Sequence, residues 1–390
     1  MRELSQDWRD LLRVPQIAFD LRKLLLCAAC LVVQLVGAEL AIYYTTLKAG
    51  TYFDQSGWRG IHLFQLYRLP WFVGDVWHMP GGERILLVLA GMIYFWVFFV
   101  FSYFGAAVFR LFAVEIGLGE RLDLKEARKF ARQKFRAFFW TQGIILLAVL
   151  FFGGLIGVGG LVGRLPVAGP SILAGLFWIA LAFSACAVLL LVGLALGWDL
   201  MLATIAVEGT DPFDGISRGI NYVFARPWRY LACRAVGLGS SLVSLLVVAA
   251  LALGIYSGAV AMARVGMGHD FDLYLYDPAR FVWHSCVSGT VPAELDDALD
   301  TPGTAVSGGI FIFVTLVYWL LVAGYGLSVR VGAGTTTYLL LRRAIDGTDV
   351  TEIYMPQSGE EFDFSSDLEE DAGGPTASPP PPAPPPAPAT

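Results

Sequence analysis

Long apolar runs separated by short polar stretches set the pattern of this 390-residue chain. Six runs are long enough to cross a hydrocarbon layer of roughly 30 Å, which takes about 20 residues in helical form. They lie near residues 23–46, 85–113, 138–163, 171–198, 231–262 and 306–329. Their hydrophobicity is continuous rather than alternating, which argues against a barrel of strands. Backbone groups find no water inside lipid and must bond within their own segment, so each run is predicted to be helical. The expected fold class is all-α: a polytopic membrane protein with six transmembrane helices.

Three polar segments between the runs carry a helical period with one apolar face. In residues 3–20, Leu4, Trp8, Leu11 and Leu12 share a face, Asp7, Arg9, Asp10 and Arg13 lie away from it, and Pro15 is expected to break the helix. In ERLDLKEARKFARQKFRAFF the stripe is Leu124, Ala127, Ala131, Phe135 and Phe138. In DPFDGISRGINYVFARPW it is Phe213, Ile216, Ile220 and Val223, with Asp211 as a natural N-cap and Pro212 suited to the first helical position. These segments are expected to be three cytoplasmic interfacial amphipathic helices, each preceding a hairpin of two spans. Their equivalent places suggest a threefold parallel repeat. Convergent interface chemistry would give the same aromatic and basic junctions without one. The resulting division is an N-terminal interfacial helix at 1–22, a six-helix domain at 23–345 and a tail at 346–390.

Charge sets the orientation. Twenty of the 27 Lys and Arg fall in segments on the side of the N-terminus, and seven on the other side. Basic residues are retained in the cytoplasm, so both termini are expected there. With 56% hydrophobic and 15% charged residues and a mean hydropathy of +0.62, a soluble globular domain is excluded as a class. The net charge of −6 comes largely from the tail and outer loops. The inner face is basic, and its expected partner is an anionic lipid headgroup rather than nucleic acid. Arg128, Lys129, Arg132 and Lys134, with Arg226 and Arg229 at the third hairpin, are the candidate lipid contacts.

Candidate chemistry inside the spans is sparse. Ionisable groups deep in a span mark transport paths, and Glu39 with Gln34 is the best candidate here. Asp199, Glu115, Arg110 and Arg234 fall near the inner boundary, where charge costs less. His62, His78, His269 and His284 are all on the outer side, with Cys286 and Asp270 near two of them. Their spacing matches no metal motif, so no metal or cofactor is expected. Cys27 and Cys30 form a CxxC on an apolar helix, best read as small packing residues. GAGTTT at 332–337 has the composition of a phosphate loop without its lysine or strand. No nucleophile elbow or nucleotide loop is present, and the expectation is a protein that is not an enzyme. The pairs Gly153/Gly157, Gly159/Gly163, Gly193/Gly197 and Gly254/Gly258 have the spacing that lets helices approach closely, and are expected to pack within the bundle. The acidic EEFDFSSDLEED and proline-rich PTASPPPPAPPPAPAT cannot bury enough apolar surface to order themselves, and are available to a soluble partner.

The stretch AVEGTDPFDGISRGINYVFARPWRYL, in which a span leads through an acidic turn and an amphipathic helix to another span, resembles uncharacterised six-helix bacterial membrane proteins similar to the membrane domain attached to glycerophosphodiester phosphodiesterases. TTYLLLRRAIDGTDVTEIY resembles the ending of planctomycete-type membrane proteins. The first resemblance covers roughly residues 115–330. It implies the six-helix architecture, the bacterial cytoplasmic membrane and an association with inner-leaflet lipid. The catalytic acids and histidines of those phosphodiesterases have no counterpart in these residues, so no catalytic role is carried over. The expectation is a non-enzymatic scaffold or accessory subunit touching inner-leaflet lipid and a soluble partner. The alternative is a channel or transporter for a small or lipidic substrate.

Overall fold

The computed structural model describes residues 8–55, 81–163, 169–276 and 302–355. Among these the chain is all-helical, and six helices are long and apolar enough to cross a membrane. A 3-10 turn at Trp8–Leu12 leads into the short helix α1 (Val14–Ala18). The long helices follow as α2 (Leu21–Gln55), α3 (Gly81–Gly117), α4 (Leu124–Val162) and α5 (Gly169–Glu208). Next come the short α6 (Pro212–Ala225), then α7 (Pro227–Met267) and α8 (Pro302–Asp346). The long helices pair in sequence order as three antiparallel hairpins: α2 with α3, α4 with α5, and α7 with α8.

At 1.5 Å per residue, α4 is about 58 Å long and α8 about 68 Å, roughly twice a hydrocarbon layer. The surplus is where the core sits. The buried apolar residues concentrate at one end of the bundle, here called the base, which gathers the chain's first turns, the end of α3, the start of α4, the end of α5, all of α6, the start of α7 and the end of α8. Ala106–Val114 of α3, Leu200–Val207 of α5 and Val331–Arg342 of α8 are buried almost without interruption. Helix α8 is the centre of this packing, touching α2, α3, α5, α6 and α7. Away from the base the hairpins become arms. Leu150, Phe151, Leu189, Leu246 and Leu251 are all more than half exposed.

The three amphipathic segments differ from one another, and local sequence explains why. Residues 124–136 contain no proline or glycine, so they form the first turns of α4 and run straight into its apolar part. Asp123 starts that helix by accepting a hydrogen bond from the Leu124 N–H. Residues 212–225 do form a separate helix. Asp211 accepts from the Asp214 N–H and Pro212 opens the first turn. Arg226 leaves helical geometry because Pro227 follows it.

The N-terminal stripe is divided by its 3-10 winding, whose period of three turns Leu11 and Leu12 in different directions. Leu11 is fully buried with Cys233 and Leu340, whereas Trp8 and Leu12 are exposed. Pro15 sits in the first turn of α1 rather than ending a helix; the break comes at Phe19. The 3-10 turn and α1 thus belong to the base. The Tyr325 and Ser328 hydroxyls of α8 donate to the Pro15 and Ala18 carbonyls.

The glycine pairs divide. A Cβ on Gly163 would lie 2.7 Å from Leu173 of α5, and Gly193 and Gly197 face Ile220 and Gly219 of α6 at 3.9 and 3.7 Å, as expected, whereas the others do not pack. A Cβ added at Gly153, Gly157, Gly159, Gly254 or Gly258 would meet nothing within 4 Å, so among the described residues these arm glycines pack against no other helix. Other glycines that bring helices together are in or near the base. A Cβ on Gly332 would lie 2.6 Å from Phe112, and one on Gly219 2.5 Å from Met201. Gly324 of α8 faces the α2 backbone at 3.0 Å. The compact body runs through Tyr354.

Candidate functional site: a charged collar at the base

Two carboxylates organise the base. Asp199, near the end of the apolar part of α5, pairs with Arg234 of α7 and lies 3.6 Å from Arg330 of α8. It can stand that close to α8 because residue 334 is glycine; a Cβ there would be 2.7 Å from the Asp199 Cβ. Two turns further along α5, Glu208 pairs with Arg218 of α6 and with Arg342 of α8 at 3.0 Å. The Tyr338 hydroxyl donates to the same carboxylate at 2.6 Å. Neighbouring Tyr222 of α6 donates to Asp346, the last residue of α8. Burial pushes the Tyr222 phenol above its ordinary pKa, and the hydrogen bond to Asp346 adds to the shift.

Burying an ion costs several kcal/mol unless its partners are in place. Here each carboxylate meets two basic side chains from different helices, so the network ties α5, α6, α7 and α8 to one another.

On the other side of the base, Lys23 of α2 reaches back to Glu115 of α3 at 2.6 Å and donates to the Ile17 carbonyl at 2.9 Å. Its ammonium also lies 4.1 Å from the centre of the Phe112 ring. Arg110 of α3 is buried over the Phe130 ring and donates to the Ala206 and Tyr354 carbonyls. Sequence reasoning placed Asp199, Glu115, Arg110 and Arg234 at a boundary where charge is cheap. The structure buries Asp199 and Arg110, half-buries Glu115 and Arg234, and gives each a partner on another helix. Glu208, Arg342 and Tyr338 were missed, because IAVE and TTTYLLLRR read as helix ends.

GAGTTT is under two turns of packed helix in α8. Thr335, Thr336 and Thr337 each return their hydroxyl to the carbonyl four residues earlier, at 2.8–2.9 Å. That leaves the segment no donor for a phosphate.

The six basic residues singled out as lipid contacts divide into two places. Arg128, Lys129 and Arg132 are exposed on the first turns of α4, and Lys134 is half-buried beside them. The opposite face of the same turns (Ala127, Phe130 and Ala131) is buried in the base. Arg226 and Arg229 are exposed at the α6–α7 turn around Trp228, which is 83% exposed. The two groups occupy different helices of one collar.

Gln34 donates to the Val97 carbonyl of α3 at 3.2 Å, tying the two helices, and the Glu39 side chain lies outside the described residues. One turn along from Gln34, a cleft of about 910 Å³ opens between α2 and α3, walled by Val32, Val36, Leu40, Met92, Phe95 and Trp96. The Trp96 indole donates to the Val33 carbonyl, and its ring fills the space left by Gly37. Among the described residues the lining of the cleft is apolar. Cys27 and Cys30 are buried beside Phe101 and Phe104 in a gap too small for water.

His62, His78, His284 and Cys286 lie outside the described residues; among those described, no cluster of three His, Cys, Asp or Glu could hold a metal. Comparison with protein-family models, with characterised proteins and with solved structures finds no match to this chain.

Proposed function

We propose that this is a non-enzymatic integral protein of the bacterial cytoplasmic membrane, with both termini inside, acting as a scaffold or accessory subunit. The observation that carries the reading is the two-sided start of α4. Its apolar face is built into the base, and its opposite face presents Arg128, Lys129 and Arg132 to the surroundings at the point where the helix becomes an apolar arm.

Arms of lipid-facing leucine and phenylalanine match a hydrocarbon layer. The collar then falls at the inner headgroups, where each basic side chain gains about 1 kcal/mol from anionic lipid. Trp228, flanked by Arg226 and Arg229, suits the same depth. The acidic and proline-rich tail is left for a soluble partner.

The test is lipid analysis of protein purified from bilayers of mixed composition. Wild type is expected to carry anionic phospholipid above its share of the bilayer. The variant with Arg128, Lys129, Arg132 and Lys134 all changed to Gln is expected to lose that excess. Equal enrichment in both contradicts the reading.

The apolar cleft between α2 and α3 favours one alternative, a transporter for a lipidic substrate whose chain occupies the cleft. Gly91 borders that cleft with open space around its Cα. Gly91→Trp would then reduce flux of a fluorescent phospholipid in reconstituted vesicles. Absence of any flux from the wild type disposes of this alternative.

A further inference from the structure

The chain does not leave the base at the end of α8. Gly347 takes a left-handed conformation (φ 72°) that ends the helix and turns the backbone. Val350–Tyr354 then runs back across the base without helical structure of its own.

Three helices from three different hairpins hold it. From α3, Arg110 donates to the Tyr354 carbonyl. From α5, the Val207 carbonyl accepts the Tyr354 N–H at 2.9 Å. From α8, Arg342 donates to the Glu352 carbonyl at 2.7 Å. Two glycines make room for the side chains. A Cβ on Gly117, the last residue of α3, would lie 2.0 Å from Ile353, and one on Gly209, just past α5, would lie 2.5 Å from the Tyr354 ring. Gly209 also has a positive φ of 68°, so any other residue there would strain the turn as well as fill the space.

Backbone hydrogen bonds that seat an extended segment, with separate pockets for neighbouring side chains, are the means by which proteins recognise peptides. Of the five residues in Val350–Tyr354 only Val350 is fully buried, in the core of the base, and Ile353 packs against the same core. Thr351 and Glu352 are exposed, and Ile353 and Tyr354 are half-buried. Segments with few buried contacts open at low local cost.

We propose that the slot between α3, α5 and α8 is a peptide-binding site for a non-helical segment carrying Ile-Tyr. It is occupied in cis by Val350–Tyr354 as a detachable ligand that staples the three hairpins together. The segment is also the last part of the compact body, so whatever draws on the following residues draws first on this staple.

The short tether through Gly347–Asp349 supplies an effective concentration on the order of millimolar. A peptide dissociation constant below about 1 mM is therefore enough to keep the slot filled in cis.

The experiment uses the full chain in lipid nanodiscs and a fluorescent synthetic peptide with the sequence of residues 347–356. In the Ile353→Ala/Tyr354→Ala variant the slot is vacated. The peptide is expected to bind it saturably below about 1 mM and to raise its melting temperature toward that of wild type. Wild type is expected to bind about tenfold more weakly or worse, because its slot is already filled. A peptide carrying the same two alanines is expected not to bind. Tyr354→Ala alone, a half-buried position, serves as the vacated form should the double variant fail to fold. Absence of saturable binding to a folded variant overturns the proposal. So does equal binding by wild type and variant, or binding that leaves the melting temperature unmoved.

Discussion

The base and the arms are built from the same helices and obey different rules. Along α4, Ala127, Phe130, Ala131 and Phe138 are buried, whereas Leu147, Leu150, Phe151 and Val158 further along are exposed. In the base a helix meets neighbours from several directions, glycines are contact points and each buried charge has a fixed partner. In the arms a helix meets its hairpin partner along one stripe, most glycines of α4 and α7 face open space and apolar side chains face outward. Lipid is as apolar as leucine, so little drives the arms to pack on one another. Water does drive the base. The difference places the specificity of the fold at one end of a bundle whose hydrophobicity is spread along its whole length.

Removing the Glu208 carboxylate should show the largest effect. In Glu208→Ala, Arg218 loses little because it is 40% exposed and solvent screens it. Arg342 and Tyr338 lose a shared buried acceptor, which is expected to cost about 3–5 kcal/mol. A lowered unfolding midpoint in denaturant titrations would show it, and a loss below about 1 kcal/mol would mean the collar is ornamental.

A glycine pair sharpens the contrast. Gly332→Leu in the base forces a side chain against Phe112 and Val14 and should destabilise by about 1–3 kcal/mol. Gly157→Ala in an arm enters open space. It should be neutral or slightly stabilising, by up to about 1 kcal/mol from helix propensity.

Tyr222→Phe is expected to cost about 1 kcal/mol at neutral pH. The pKa of Tyr222 is raised in the folded protein, so its contribution is complete below the ordinary tyrosine value of about 10 and is lost as pH climbs through the folded value. The Phe variant should therefore lose less stability than wild type above about pH 10, which melting curves taken across alkaline pH would reveal.

The six long helices were legible because a run of 20 apolar residues admits few other readings. Their true lengths were not. Residues 124–136 looked like a separate surface helix, yet nothing in Leu124–Phe139 interrupts an α-helix, and the apolar run simply begins partway along it. The start of α6 at Asp211 and Pro212 could be read directly; the break before Pro227 was present in the sequence but not singled out.

The collar was hidden for a different reason. Charge near a span end reads as exposed when only one helix is in view. Its burial depends on partners about 100 residues apart or more, as with Glu208 and Arg342 or Arg110 and Tyr354. The same distance concealed the slot, whose two pockets exist because positions 117 and 209 are glycine. Glycine spacing within one helix pointed partly to the arms, where Gly153, Gly157, Gly254 and Gly258 meet no second helix among the described residues.

Amide hydrogen exchange, measured in nanodiscs and again after transfer to a detergent free of phospholipid, tests most directly whether protein contacts hold the base and lipid holds the arms. Exchange at 106–116, 200–207 and 331–342 should stay slow in both media, while exchange at 147–162, 174–192 and 241–262 should accelerate once lipid is gone. Equal acceleration in the two sets, or slow exchange in both, would contradict the division.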